Sequence, residues 1–161
     1  MNLAQRNGND LLVKHVDALR DAFRIVKMAH PFELEAIVIL PDHLHAIWRM
    51  PPNDSDFSRR WRLIKAYFSK MIPHEETISP SRSRKGERGI WQRRYWEHVI
   101  RDDLDMQRHL DYIHYNPVKH GYANSAIDWP FSSFHRYLAD GYYFNDWFAS
   151  DDALRSAEGD D

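Results

Sequence analysis

The chain has 161 residues, 43% of them apolar and 29% charged, which is enough for one domain with its own core. No apolar run approaches the roughly 18 residues that span a bilayer, so no transmembrane helix is expected, and the charged fraction argues against a membrane protein. The absence of cysteine excludes disulfides and thiolate chemistry, and no secretory pattern precedes the first elements. A cytoplasmic location is therefore expected. The formal net charge of -2 hides an asymmetry. Residues 140–161 carry seven acids (Asp140, Asp146, Asp151, Asp152, Glu158, Asp160, Asp161) against Arg155 alone. Without them 21 basic and 17 acidic residues remain, a net of +4. Six basic residues lie between positions 82 and 94: Arg82, Arg84, Lys85, Arg88, Arg93 and Arg94. A cluster of that kind can follow a phosphate backbone.

In chain order, Val16, Leu19, Phe23 and Val26 predict an amphipathic helix over 15–30, stopped by Pro31. Residues 33–40 alternate and then turn wholly apolar, as a buried strand does. Pro41-Asp42 reads as a turn, and 43–50 as the returning strand of a hairpin. A helix over 55–72 follows, capped by Ser55 or Asp56, with Phe57, Trp61, Ile64, Phe68 and Ile72 on one side. Residues 73–90 form a long Ser-, Arg- and Pro-rich loop, a strand is expected near 94–99, and Asp102 or Asp103 caps a helix ended by Pro117. The remainder is an aromatic-rich strap. The order predicts an α+β domain over residues 1–150 and a disordered acidic tail over 151–161. With one more strand in front, the order becomes that of a ferredoxin-like antiparallel sheet.

Two patterns carry chemistry. His43 and His45 are two apart in a strand, so both imidazoles project from one face while Leu44 points into the core. Two imidazoles so placed suit one divalent cation, with Asp42 able to orient a ligand or hold the turn. Tyr112 and Asn116 are four apart near the end of a helix and share a face, which puts a phenol beside an amide oxygen able to join a metal shell. Tyr115 points elsewhere and reads as a packing or stacking residue. A nearby cation favours phenolate and polarises a phosphodiester, so Tyr112 becomes a candidate nucleophile.

These residues carry a resemblance. The chain resembles the REP-associated tyrosine transposases, a branch of the HUH single-strand transposases and nucleases. The likeness rests on four ordered blocks in residues 3–148: Leu40-Pro41-Asp42-His43-Leu44-His45, Trp61-Arg62-Leu63-Ile64-Lys65, Lys85 to His98, and Asp111 to Gly121 with Trp129 to Phe134 behind it. It implies a ferredoxin-like core, with the histidine pair on a central strand and Tyr112 as the catalytic tyrosine. Asn116 would complete a metal site for Mg2+ or Mn2+. It implies cleavage and rejoining of single-stranded DNA bearing palindromic hairpins, through a 5′-phosphotyrosine and a free 3′ hydroxyl. Lys65, Arg82, Arg84, Lys85, Arg88, Trp91, Arg93 and Arg94 are the expected DNA contacts. The family carries a full first strand, of which Met1-Asn2-Leu3 are all that stand here, so an exposed sheet edge is expected. Two other readings stay open: a noncatalytic nucleic-acid binder of the same fold, and a metal-dependent hydrolase without a tyrosyl intermediate.

Overall fold

A computed structural model describes residues 1–149 apart from Asn7, Thr77 and Ser79. The acidic segment 151–161 lies outside the described residues. The elements are α1 (Leu11–Lys14), α2 (Val16–Ala29), β1 (Glu33–Ile39), β2 (Leu44–Arg49), α3 (Phe57–Met71), α4 (Pro80–Ser83), α5 (Asp103–Lys119), a 3-10 turn (Ala126–Asp128) and α6 (Phe134–Ala139). β1 and β2 pair as the antiparallel hairpin expected around Pro41-Asp42. The class is α+β. The chain divides into two compact units, one made of Met1–Leu34, Pro41–His43 and Trp48–Tyr95, the other of Glu35–Leu40, Leu44–Ile47 and the chain from Trp96 onward.

In the first unit α2 buries Leu19, Ala22, Phe23 and Val26, the face its periodicity predicts. Phe23 meets Trp61 of α3 edge-on at 5.7 Å between centroids, and Trp48 stacks on Trp61 at 4.2 Å. Phe23 and Trp61, both buried, each contribute about 1.5–3 kcal/mol. Asp56 caps α3 by accepting from the Arg59 N–H at 3.2 Å. Arg60 is buried yet fully used. It pairs with Asp54 at 2.7 Å, and it donates to the carbonyls of His30 and Pro31 just beyond the end of α2. Asn2 and Leu3 pair on two sides, with Asn2 bridging His43 and Leu3 bridging Trp91. Leu3 donates to Asp42 O at 2.8 Å, and Gln92 donates to Asn2 O at 3.0 Å. Leu3 is wholly buried.

Two expectations are corrected. Residues 94–99 form no strand; pairing in this stretch is the single bridge at Trp91. Trp96 and Val99 are exposed, so the alternation that would bury one face is missing. Pro117 does not end its helix, which runs on to Lys119. Proline removes only the N–H that would reach Ile113 O, and His120 N–H resumes the ladder at Asn116 O, 3.0 Å. The stop comes at Gly121, whose φ of 70° suits glycine.

The second unit packs Ala36, Val38 and Leu40 of the β1 segment against Leu110, Tyr112 and Ile113 of α5. The strap then adds to β1: Ile39 N–H reaches Phe131 O and Ser133 N–H reaches Ile37 O, both 2.8 Å, and Val38 bridges Ser132. Trp129 Nε1 donates to Ile39 O at 2.9 Å. The aromatic strap is thus held by backbone pairing, with Phe134 stacked on Tyr143 at 5.0 Å.

Candidate active site

The turn of the hairpin carries the first part of the site, within the first unit. Asp42 Oδ1 lies 2.6 Å from His43 Nδ1, and Arg6 Nε donates to Asp42 Oδ2 at 2.7 Å. Burial pushes the Asp42 carboxyl up, but the hydrogen bonds from Arg6 and His43 outweigh it and hold it below its ordinary value. A carboxylate this close assigns the His43 proton to Nδ1 and leaves the Nε2 lone pair as the ligand-competent nitrogen. His43 is 1% exposed. His43 is closed off from solvent, because Asn2 pairs across it and Asp42 packs beside it.

A second set of candidate residues lies within the second unit. The His45 ring stands edge-on to Tyr112 at 5.5 Å between centroids. Tyr112 is 2% exposed, and Asn116, one turn further along α5, is 0% exposed. Among the described residues neither Oδ1 nor Nδ2 of Asn116 has a hydrogen-bond partner. An orphaned buried amide costs about 1–3 kcal/mol, so the position is expensive unless something is bound there. An imidazole and an amide oxygen are donors that a divalent cation with some waters accepts, so His45 and Asn116 fit such an ion by their chemistry. Tyr115 is half-buried against Trp147, a packing residue as expected. His114 is buried between Tyr143 Oη (3.0 Å) and Ser133 Oγ (2.8 Å), inside the core.

Two features were not assigned from the sequence. Lys119 Nζ lies 3.4 Å from Tyr112 Oη and 4.9 Å from the centre of its ring. They stand seven positions apart on one helix, a spacing that was there to be read. The other feature is His98–Asp105–His109, whose ligand atoms lie within 4.8 Å of one another. This donor set could take a divalent ion, but every member is already engaged. Asp105 accepts from His98 Nε2 at 2.8 Å and from the Arg101 N–H at 2.9 Å, and His109 Nδ1 reaches Asp105 O at 2.8 Å. Burial raises the Asp105 carboxyl, and these donors overcome it and hold it well below the carboxylate range. The cluster anchors the first turn of α5, where Asp102 also caps the Asp105 N–H at 2.8 Å.

The basic loop divides by role. Arg88 is spent internally, bonded to Glu76 and to the carbonyls of Ser69, Ile72 and Pro73. Its expected place on phosphates is corrected, since the guanidinium already ties the loop down. Trp91 is 9% exposed against Phe68, so neither face is open for stacking on a base. Lys65 donates to Gln92 O at 2.9 Å, and burial lowers its pKa to about 8. Arg82 donates to Trp91 O and Arg93 to Glu87, both at 3.2 Å. Arg84, Lys85 and Arg94 stand exposed.

The family model described as "Transposase IS200 like" matches residues 6–116, which hold the turn, His45, Tyr112 and Asn116. A REP-associated tyrosine transposase of Escherichia coli K12 is 45% identical over 91% of this chain and 81% of its own length. The chain belongs to the REP-associated tyrosine transposases. A Haemophilus influenzae protein named "Putative REP-associated tyrosine transposase" is 44% identical over 92% of this chain and 85% of its own. A solved structure of a REP-associated tyrosine transposase bound to a REP hairpin superposes with a TM-score of 0.78 at 44% identity, covering 92% of this chain and 82% of that one. Membership makes the chain an enzyme of the transposase class. No helix among the described residues is long and apolar enough to cross a membrane.

Proposed function

We propose that the chain cuts and rejoins single-stranded DNA carrying REP-like hairpins, with Tyr112 as nucleophile. His43, His45 and Asn116 would hold a divalent cation, Mg2+ or Mn2+. The observation that carries this reading is Asn116, an amide with no exposure and no hydrogen-bond partner among the described residues, one helical turn from Tyr112. When bound, the cation polarises the scissile phosphate and favours phenolate at the tyrosine.

The chain's own residues supply the rest. Asp42 fixes the His43 tautomer and is itself held by Arg6. Tyr112 Oη attacks phosphorus, the P–O3′ bond breaks, and a 5′-phosphotyrosine and a free 3′ hydroxyl result. The phosphoester energy is kept, so a second 3′ hydroxyl can reverse the step. Arg84, Lys85 and Arg94, with Arg82, Arg93 and Lys65 behind them, are the side chains proposed to meet phosphates. DNA as substrate implies a cytoplasmic place of action.

The test incubates the full chain with Mn2+ and REP hairpin oligonucleotides that carry single-stranded flanks. A denaturing gel is expected to reveal a covalent adduct, absent in Tyr112→Phe, present in Tyr115→Phe and lost with a chelator. Cleavage that survives Tyr112→Phe would establish the hydrolase instead. Hairpin binding with no cleavage under any divalent ion would establish the noncatalytic binder.

A further inference from the structure

Lys119 sits at the C-terminal end of α5, where a lysine ordinarily needs no explanation beyond the helix dipole. Its ammonium does something more specific. The stem runs back along the helix, and Nζ comes to 3.4 Å from Tyr112 Oη while lying 4.9 Å from the ring centre. Tyr112, Asn116 and Lys119 follow the spacing i, i+4, i+7 and so form one stripe. Tyr112 is buried and packed with Val38, Leu40 and Ile113, so the ammonium beside its oxygen works in surroundings of low dielectric, where a charge acts strongly.

From this we infer that Lys119 is a further catalytic residue, which neutralises the charge that builds on the scissile phosphate as Tyr112 attacks it. The inference rests on the reading of Tyr112 as nucleophile. A phosphorus bonded to Tyr112 Oη places its non-bridging oxygens two bonds beyond an atom that Lys119 already reaches. The diester carries one negative charge before attack and develops a second as the Oη–P bond forms and the P–O3′ bond breaks. The phenol proton passes to water and the leaving 3′ oxygen takes one from water, so the lysine keeps its protons and serves as a fixed charge. The same charge would act in the rejoining step, which passes through the same phosphorane-like state. Fixed donors aimed at developing charge are among the largest contributions an active site makes.

The test measures single-turnover adduct formation on REP hairpin oligonucleotides for the wild type, Lys119→Met and Lys119→Arg. Lys119→Met keeps the packed stem and removes the charge, and is expected to slow adduct formation by about a hundredfold, the usual cost of one such donor. Hairpin affinity should hold, and Lys119→Arg, which keeps the charge, should recover much of the rate. The deciding arm places a methylphosphonate at the scissile position, where a neutral methyl replaces one anionic oxygen and the pentacoordinate state carries one negative charge instead of two. There the gap between wild type and Lys119→Met should shrink several-fold, which a merely structural role would not produce. Full activity of Lys119→Met, or an undiminished gap on the methylphosphonate with hairpin affinity intact, overturns the inference. Loss of hairpin binding in Lys119→Met together with failure of Lys119→Arg also overturns it. A wild-type adduct mapped by mass spectrometry to a residue other than Tyr112, or no adduct at all, fails the reading of function itself and so separates the two.

Discussion

Asn116 is the residue at which stability and function pull apart. Its amide is buried without hydrogen-bond partners among the described residues, so in the apo protein it is a cost rather than a contribution. Truncation to alanine removes that cost of about 1–3 kcal/mol and leaves a small cavity in its place, two terms of opposite sign. Metal-free Asn116→Ala is therefore expected to unfold within about 1 kcal/mol of wild type, judged by urea midpoints. Its response to Mn2+ should differ sharply. A ligand that binds only the folded state raises stability by about 2.7 kcal/mol at a hundred times its Kd, so the wild type should gain and the variant should not. Equal Mn2+ stabilisation of both proteins would remove Asn116 from the cation. The placement of Tyr112 one turn before Asn116 on a single helix was legible in their spacing. The burial of His43 was not, because it depends on Asn2, a residue 41 positions earlier.

At the scale of elements, α5 carries most of what the sequence could and could not give. Its start was readable, because an aspartate before an apolar-periodic run is a local signal, and Asp102 does cap it. Its end was misread, because proline near a C-terminus forfeits one hydrogen bond and the remaining turn can still close. The strand expected at 94–99 failed for a related reason: Tyr95, Trp96 and Val99 favour extended structure, but pairing is decided by partners distant in sequence. The His98–Asp105–His109 cluster was likewise invisible, since only Asp105 and His109 share a helix. Where α5 meets the strap, His114 makes a pH-dependent joint. Burial lowers its pKa from 6.5 to about 3, the repelling charge of Arg136 adding to the effect. The unfolded chain binds a proton there below about 6.5 and the folded chain does not, so stability is full above that pH and declines as pH falls toward 3. Urea midpoints should fall by several-fold more between pH 7.5 and pH 5 in wild type than in His114→Phe. A parallel pH slope in the two proteins would place the acid sensitivity elsewhere.

At the scale of the whole molecule, charge decides where DNA can lie. The formal net charge of -2 would repel a polyanion, yet the acids concentrate in residues 140–161 and the rest of the chain is positive by four. Composition located the basic loop but could not say which of its cations are spent internally. That required the hydrogen bonds, which remove Arg88 and leave Arg84, Lys85 and Arg94 exposed. The two classes predict different losses. Each phosphate neutralised contributes about 0.7–0.9 to the slope of log K against log salt, so replacing Arg84, Lys85 and Arg94 together by alanine should flatten the slope of hairpin binding by about 2. The triple variant should keep its thermal stability, because exposed cations contribute little to it. Arg88→Ala should do the reverse. It strands the Glu76 carboxylate, which the Arg88 hydrogen bond holds at a pKa of about 2 against a modest opposing effect of burial. It also frees three carbonyls at the end of α3 and in the loop beyond. Stability should fall while the salt slope of the folded protein persists, as measured by hairpin titrations from 50 to 200 mM salt, the range over which about six phosphate contacts already change affinity a thousandfold. A slope flattened by Arg88→Ala and untouched by the triple variant would put the nucleic acid on the opposite side of this loop, with the anchor and the contact exchanged.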